Sequence, residues 1–359
     1  MAALYSYIPV GDKHFCSDGN LVALGWILAL NNRRLHLDTL GVQFHQIPRI
    51  LKTLFRQRGK VNEATAGRLA LPTFGHLCLR VHRGYKLFDL SSRTATKIFD
   101  NDMDAAARAV EINAVREAAK LDFAPDLLAV DSDNRWYREA YMPGRRGSKT
   151  VQSDPARVFR ETIADHLCQM TAIRPIETIS AGEYLGKLLD TLTEDLADFR
   201  CDELRNEVHD FVAEIAAQLQ KTPDLPIHRI FSHGDFSFVN FIYNENRVIV
   251  IDWESLQTRS LLSDFYNYFL TELYYQRSRT NLVAEINDAL VLLSRKLAPE
   301  APLLADDVIT HKAIYRWFYY LERMHMLLSR DMSDNQLNVI RRSMGIFNEH
   351  ESTIRQIAP

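Results

Sequence analysis

The stretch His233-Gly234-Asp235-Phe236-Ser237-Phe238-Val239-Asn240, followed by FIYNENRVIVIDWE over residues 241–254, decides how this chain is read. An aspartate stands five residues before an asparagine, and a second aspartate, Asp252, comes twelve residues after that. Between them lie two apolar runs separated by Asn244-Glu245-Asn246, the composition of a β-hairpin and its turn. A hairpin returns its exit to its entrance, so the spacing predicts three oxygen-bearing side chains near one loop. Taken singly, His233, Asp235 and Asn240 are also common turn and cap residues. The second aspartate, flanked by Ile251 and Trp253, favours a chemical reading of the set.

Outward from this block the texture differs on the two sides. Upstream, LCLRVHR, YKLFDL and TATKIFD are short apolar-rich runs split by Arg83-Gly84 and Ser91-Ser92-Arg93, which predicts an antiparallel meander. Residues 104–121 follow with helical spacing of Ala105, Ala106, Val110, Ala114, Val115 and Ala118, and the helix must stop before Pro125. LLAVDSD and RWYREAYM predict two more strands, and Pro143-Gly144 is a turn signal that we take as a lobe boundary. Downstream, helices are expected over roughly 155–172, 181–198, 202–221, 263–279, 281–297, 307–330 and 334–350.

HGDFSFVN with IDWE resembles the HGDxxxxN and Ile-Asp-(Trp/Phe/Leu) signatures of the aminoglycoside phosphotransferase and choline kinase family, over roughly residues 75–330. The resemblance implies an α+β, two-lobed protein-kinase-like fold: a small antiparallel β-sheet lobe with one crossing helix, and a larger, mainly helical lobe. It divides the chain into an amino-terminal extension, 1–65, a nucleotide-binding lobe, 66–142, and a helical lobe with catalytic loop and substrate site, 143–359. It implies ATP and Mg2+ as cofactors and phosphoryl transfer to a small-molecule hydroxyl, which needs a carboxylate beside the hydroxyl and oxygen ligands for the metal. Asp235 is then the catalytic base, and Asn240 and Asp252 are the magnesium ligands. Asp264 corresponds to an aspartate that supports the catalytic loop, and His233 to a residue that shapes it.

The same resemblance makes Lys97, on the third strand of the meander, the lysine for the α- and β-phosphates. Glu111 and Glu117 compete as its helix partner; six residues apart, they face different ways. Glu111 is preferred, because its fourteen-residue distance to Pro125 resembles the family spacing. RWYREAYMPG resembles the family hinge, so Ala140 and Met142 are expected to meet the adenine edge through main-chain groups. Gly84 is the single glycine between the first two strands, and no GxGxxG covers the phosphates, which departs from the protein-kinase pattern. Arg145, Arg146 and Lys149 form a basic cluster after the hinge, suited to an anion or simply to solvent.

Other chemistries lack their motifs. There is no GxxxxGK[ST], no HExxH and no GxSxG, which argues against a P-loop kinase, a zinc hydrolase and a serine hydrolase. With 47% hydrophobic and 25% charged residues and a formal net charge of −3, the composition is that of a folded protein and does not mark a nucleic-acid binder. The longest apolar run, LVALGWILAL at 21–30, is half of a bilayer span and has no basic leader, so a buried helix and no membrane span are expected. Four scattered cysteines give no CxxC pair, which suits a reducing cytoplasm.

Acidic and basic residues roughly balance over 254–330, where the acceptor should bind, whereas a polycationic antibiotic needs clustered carboxylates. A sugar or cell-envelope saccharide precursor is therefore the expected acceptor. An aminoglycoside remains an alternative, as does choline or another amino alcohol caged by Trp317, Tyr319 and Tyr320. A pseudokinase that binds nucleotide and transfers nothing is the alternative of another class. The oligomeric state and the role of residues 1–65 stay open.

Overall fold

The computed structural model describes residues 5–9, 14–17, 69–142, 144–146, 155–197, 199, 201–244, 247–274, 282–329 and 334–357. The chain forms two compact units, one from Met1–Thr150 with Phe241–Glu254, the other from Val151–Asn240 with Ser255–Pro359. The predicted hairpin thus belongs to the first unit, while the loop that precedes it belongs to the second. The expected helix over 21–30 lies outside the described residues. No helix among the described residues is long and apolar enough to cross a membrane.

The first unit is built on an eight-stranded antiparallel sheet. Its strands are β1 (Tyr5–Pro9), β2 (His14–Ser17), β3 (Leu69–Leu71), β4 (Leu77–Val81), β5 (Gly84–Asp89), β6 (Thr94–Phe99), β7 (Leu127–Val130) and β8 (Trp136–Ala140), in the order β3-β1-β2-β4-β5-β6-β8-β7. The meander β4-β5-β6 follows from the period-two alternation of its runs. The two amino-terminal strands, which sequence periodicity does not reveal, extend its edge. Helix α1 (Ala105–Ala118) connects β6 to β7; Asp104 caps it by accepting from the backbone N–H groups of Ala106 and Ala107. One core joins Tyr7, Leu71, Cys78, Leu87 and Ile98. A second joins Phe99 and Tyr137 of the sheet to Ile112 and Val115 of α1. The hairpin strands β12 (Phe241–Asn244) and β13 (Arg247–Val250) form a separate sheet with β9 (Arg145–Arg146). Trp253, at the hairpin exit, is buried against Phe123, beyond the end of α1.

The second unit is mainly helical. Residues 155–171 form α2 (Pro155–Val158), a π-helical turn (Phe159–Ile163) and α3 (Ala164–Thr171). Then come α4 (Ala181–Ala197), α5 (Asp202–Leu219), α6 (Ser263–Tyr274), α7 (Leu282–Leu297), α8 (Pro302–Thr310), α9 (Lys312–Leu328) and α10 (Asp334–Ile357). Where one helix is expected over 307–330, the chain breaks at His311 into α8 and α9. Three strands, β10 (Glu177–Ser180), β11 (Pro226–Ser232) and β14 (Gln257–Ser260), pair in the order β10-β11-β14. Their role is to carry the loop: β11 ends at Ser232, immediately before His233. Phe159 packs on Phe265, Tyr268 and Phe269 of α6, and Tyr320 of α9 stacks on Phe347 of α10 at 4.4 Å between ring centroids.

Candidate active site

The loop after β11 is fixed from beneath by Asp264, in the first turn of α6. Its carboxylate accepts from the backbone N–H of His233 at 2.7 Å and of Gly234 at 2.9 Å. Burial pushes this carboxyl up, against the opposing pull of His233, Arg259 and the two N–H donors. Gly234 has φ +82°, and a Cβ there would lie 2.4 Å from the Arg259 guanidinium, so both its conformation and its surroundings demand glycine. That guanidinium is itself held, donating to the carbonyls of Ser232 at 3.3 Å and Ser255 at 2.9 Å.

Asp235 stands on this anchored backbone. Its N–H donates to His233 Nδ1 at 3.2 Å. Asn240, at the end of a short 3-10 turn (Phe238–Asn240), donates from Nδ2 to the Asp235 carbonyl at 2.9 Å and to its Oδ2 at 3.3 Å. The amide oxygen of Asn240 is therefore turned away from the aspartate. Arg323 of α9 donates from Nη1 to the other carboxylate oxygen, Oδ1, at 3.2 Å. The two oxygens of Asp235 are thus distinguished, one by a neutral amide and one by a guanidinium.

The first unit gathers a second constellation. Lys86 of β5 and Lys97 of β6 are directly paired across the strands, which places their side chains on one face of the sheet. Lys97, 2% exposed, donates to Glu254 Oε2 at 3.0 Å and to the His82 carbonyl at 2.9 Å, and lies 3.6 Å from Glu111 Oε1. Glu111 also accepts from the Tyr137 hydroxyl at 3.3 Å. Burial raises its carboxyl to about 7, although Lys97 pulls the other way. Glu117 instead pairs with Lys120 at the helix surface. Lys86 donates to Asp252 Oδ1 at 2.8 Å and lies 3.9 Å from Glu139, a buried residue of β8. Burial opposes the charge of Lys86, but Asp252 and Glu139 outweigh it and hold its ammonium above the ordinary range. Burial likewise raises Glu139, against the pull of Lys86.

Asp252 itself has φ +63°, an unusual backbone for a non-glycine residue. Asp252 gives the first unit a carboxylate, already neutralised by an ammonium, and Asn240 gives the second unit an amide oxygen. Both are hard oxygen ligands, and they fit Mg2+ or Ca2+ rather than a thiophilic metal.

Around Lys97, His82 and Arg83 form a two-residue turn between β4 and β5, with Val81 paired to Gly84. A Cβ on Gly84 would lie 2.0 Å from the Ile98 carbonyl, so this glycine permits close strand contact. The His82 carbonyl that accepts from Lys97 belongs to this turn. At the other end of the sheet, the Ala140 N–H donates to the Asp126 carbonyl and the Tyr141 N–H to that of Arg93. Met142 N–H has no backbone partner among the described residues. Tyr319 and Tyr320 are buried, donating to Asn267 and Glu351, so they pack the core rather than line an open cage.

Lys86, Glu139, Glu254 and Arg323 were not singled out by sequence. The only local signal for Glu254 was its place two residues after Asp252. Lys86 becomes visible once β5 and β6 are set in register, whereas Arg323 lies 88 residues from Asp235 and carries no local signal.

With this geometry in view, comparison with known proteins gives a consistent result. Residues 90–301, more than half of the chain, match the model of the APH phosphotransferase enzyme family. No curated protein matches the chain. Among solved structures, a choline kinase from Cryptosporidium parvum Iowa II is similar with a TM-score of 0.51 and 12% identity, covering 78% of this chain and 88% of that one. An amicoumacin kinase in complex with AMP-PNP, Ca2+ and Ami is similar with a TM-score of 0.50 and 13% identity, covering 76% and 87%. These likenesses show the two-lobed kinase fold. The extent of the family match shows more: the chain belongs to the APH phosphotransferase enzyme family.

Proposed function

We propose that this small-molecule kinase uses ATP with Mg2+ and phosphorylates a hydroxyl of a sugar, of the kind found in cell-envelope saccharides and their precursors. The observation that carries the reading is the setting of Asp235, whose carboxylate oxygens are fixed one each by Asn240 and Arg323. A carboxylate so held can orient an acceptor hydroxyl for in-line attack, and positioning supplies most of the catalysis in such reactions.

The acceptor oxygen forms a bond to the γ-phosphorus as the bond from that phosphorus to the β–γ bridging oxygen breaks. The electron pair leaves with ADP, and the hydroxyl proton passes to Asp235. Lys97 holds the α- and β-phosphates, oriented by Glu111 and Glu254. The turn at Gly84 covers the phosphates, and the Ala140 carbonyl and Met142 N–H meet the adenine edge. Asn240 and Asp252 would hold magnesium, which when bound neutralises charge on the phosphates.

The sugar reading is supported by how the carboxylates of the helical unit are used. Asp264 serves the loop backbone, Asp195 pairs with His325 at 2.7 Å, and Glu322 accepts from Tyr184 and Ser260. A polycationic acceptor would need carboxylates not already committed in this way.

The test is magnesium-dependent ADP formation by the full chain against sugars, saccharide precursors, amino alcohols and aminoglycosides. A sugar is expected to be turned over. Asp252→Ala should lose turnover and weaken binding of magnesium-nucleotide more than of metal-free nucleotide. Exclusive use of an amino alcohol or aminoglycoside would overturn the sugar assignment. Tight nucleotide binding with no acceptor at all would favour a nucleotide-binding scaffold.

A further inference from the structure

We propose that Arg323 makes the acceptor site selective for a hydroxyl compound that carries an anionic group, a carboxylate or a phosphate ester, close to the hydroxyl that is phosphorylated. This rests on the reading of Asp235 as the base, and it narrows the acceptor from sugars in general to acidic ones.

The geometry points to this in three steps. First, the guanidinium is placed at the reacting centre: Arg323 Nη1 lies 3.2 Å from Asp235 Oδ1. The two side chains are 13% and 24% exposed, so the pair is neither sealed in the core nor free in solvent. An acceptor that brings its hydroxyl to Asp235 must bring the neighbouring atoms beside Arg323.

Second, Asp235 uses only one corner of the guanidinium. Arginine presents five N–H donors in a fixed planar fork, suited to two oxygens of one anion. Apart from Asp235, the hydrogen-bond partner of Nη1 among the described residues is the Met326 sulfur, at 3.8 Å. Nε and Nη2 make no hydrogen bond to any described residue. A structural arginine in this unit behaves differently: Arg316 donates from both Nε and Nη2 to the two oxygens of Glu351.

Third, two carboxylates of the same unit, Glu322 and Asp264, are committed elsewhere. Glu322, the preceding residue on α9, is turned into the core, where it accepts from Tyr184 Oη at 2.6 Å, Ser260 N at 2.7 Å and Ser260 Oγ at 3.1 Å. Asp264 has each oxygen committed to a backbone N–H. An ammonium near the acceptor hydroxyl would face a guanidinium, while an anionic group would complete its fork.

The alternative is that Arg323 only braces Asp235; such a brace would affect every acceptor alike. The experiment therefore reads a ratio. Steady-state kinetics of the full chain are measured on matched sets: glucose, glucosamine, glucuronate and glucose 1-phosphate, and the corresponding galactose series. The acidic members are expected to have the highest kcat/KM, with glucuronate against the sugar phosphate telling which anion is used. In Arg323→Met the acidic-to-neutral ratio of kcat/KM should fall about 10- to 100-fold, the scale of one charged hydrogen-bonding contact. Arg323→Lys, which keeps the charge without the fork, should recover part of it. Thermal unfolding of both variants shows that they are folded.

Preference for the amine or neutral members, or an equal loss for all members in Arg323→Met, would overturn the proposal. So would failure of every acidic member to be bound or turned over. The kinase reading is judged separately, from slow magnesium-dependent ATP hydrolysis that Asp235→Asn should abolish.

Discussion

Lys86 donates a hydrogen bond to Asp252 at 2.8 Å, joining two residues 166 positions apart in the chain. The same ammonium lies 3.9 Å from Glu139, so one lysine serves a proposed metal ligand and a buried carboxylate together. Removing it leaves Glu139 without the cation that acts on it most, with Lys97 the weaker remaining one. Breaking one side of a buried ion pair is costly, so Lys86→Met should destabilise the protein by about 2–4 kcal/mol. Glu139→Gln added to Lys86→Met should recover part of that loss, because the buried charge is then gone. Denaturant unfolding of the four species in this double-mutant cycle measures the coupling; additive effects would mean that the two residues do not interact.

Glu111 gives a pH dependence of defined sign. Its carboxyl is raised by burial from 4.5 to about 7. Between those values the folded chain keeps a proton that the unfolded chain has released. The stability contributed by Glu111 is therefore fully present below pH 4.5 and is lost as pH rises through about 7. Glu111→Gln removes this term. The stability difference between wild type and variant should change, across that window, by on the order of 3 kcal/mol in the direction that favours the variant at higher pH. Thermal unfolding from pH 4 to 8, each sample at equal ionic strength, measures it.

Asp264 and Gly234 should act on activity through the loop. Asp264→Asn replaces one acceptor oxygen by an amide donor facing a backbone N–H, and should cost about 2–4 kcal/mol of stability. Gly234→Ala meets both an unfavourable φ and the Arg259 guanidinium. Both variants should lose kcat more than nucleotide affinity, since Asp235 is displaced while Lys97 and Glu111 are untouched. Unfolding midpoints with nucleotide-binding measurements separate these effects.

What the sequence made legible follows from how local each feature is. HGDFSFVN and IDWE bring their three oxygen donors within twenty residues of chain, and composition at fixed spacing was enough to single them out. The meander and α1 were readable because alternation and helical spacing are themselves local, and so was the stop before Pro125; the cap by Asp104 was not singled out. The short strands β10 and β14 were not: each is four residues long and exists through pairing with β11, at separations that no local pattern encodes. The break at His311 was missed because apolar periodicity runs across it. Lys86 and Arg323 were missed for one shared reason. Their significance lies in partners that only the strand register or the packed helices reveal.

The most direct measurement of the central claim is single-turnover phosphoryl transfer by Asp235→Asn, with AMP-PNP binding measured on the same preparation. If Asp235 is the base, transfer falls about 10²- to 10⁴-fold, the usual scale for a positioned proton acceptor, with AMP-PNP affinity close to wild type. Transfer by the variant at the wild-type rate would contradict the assignment of Asp235 as the base, and with it the reading of this site.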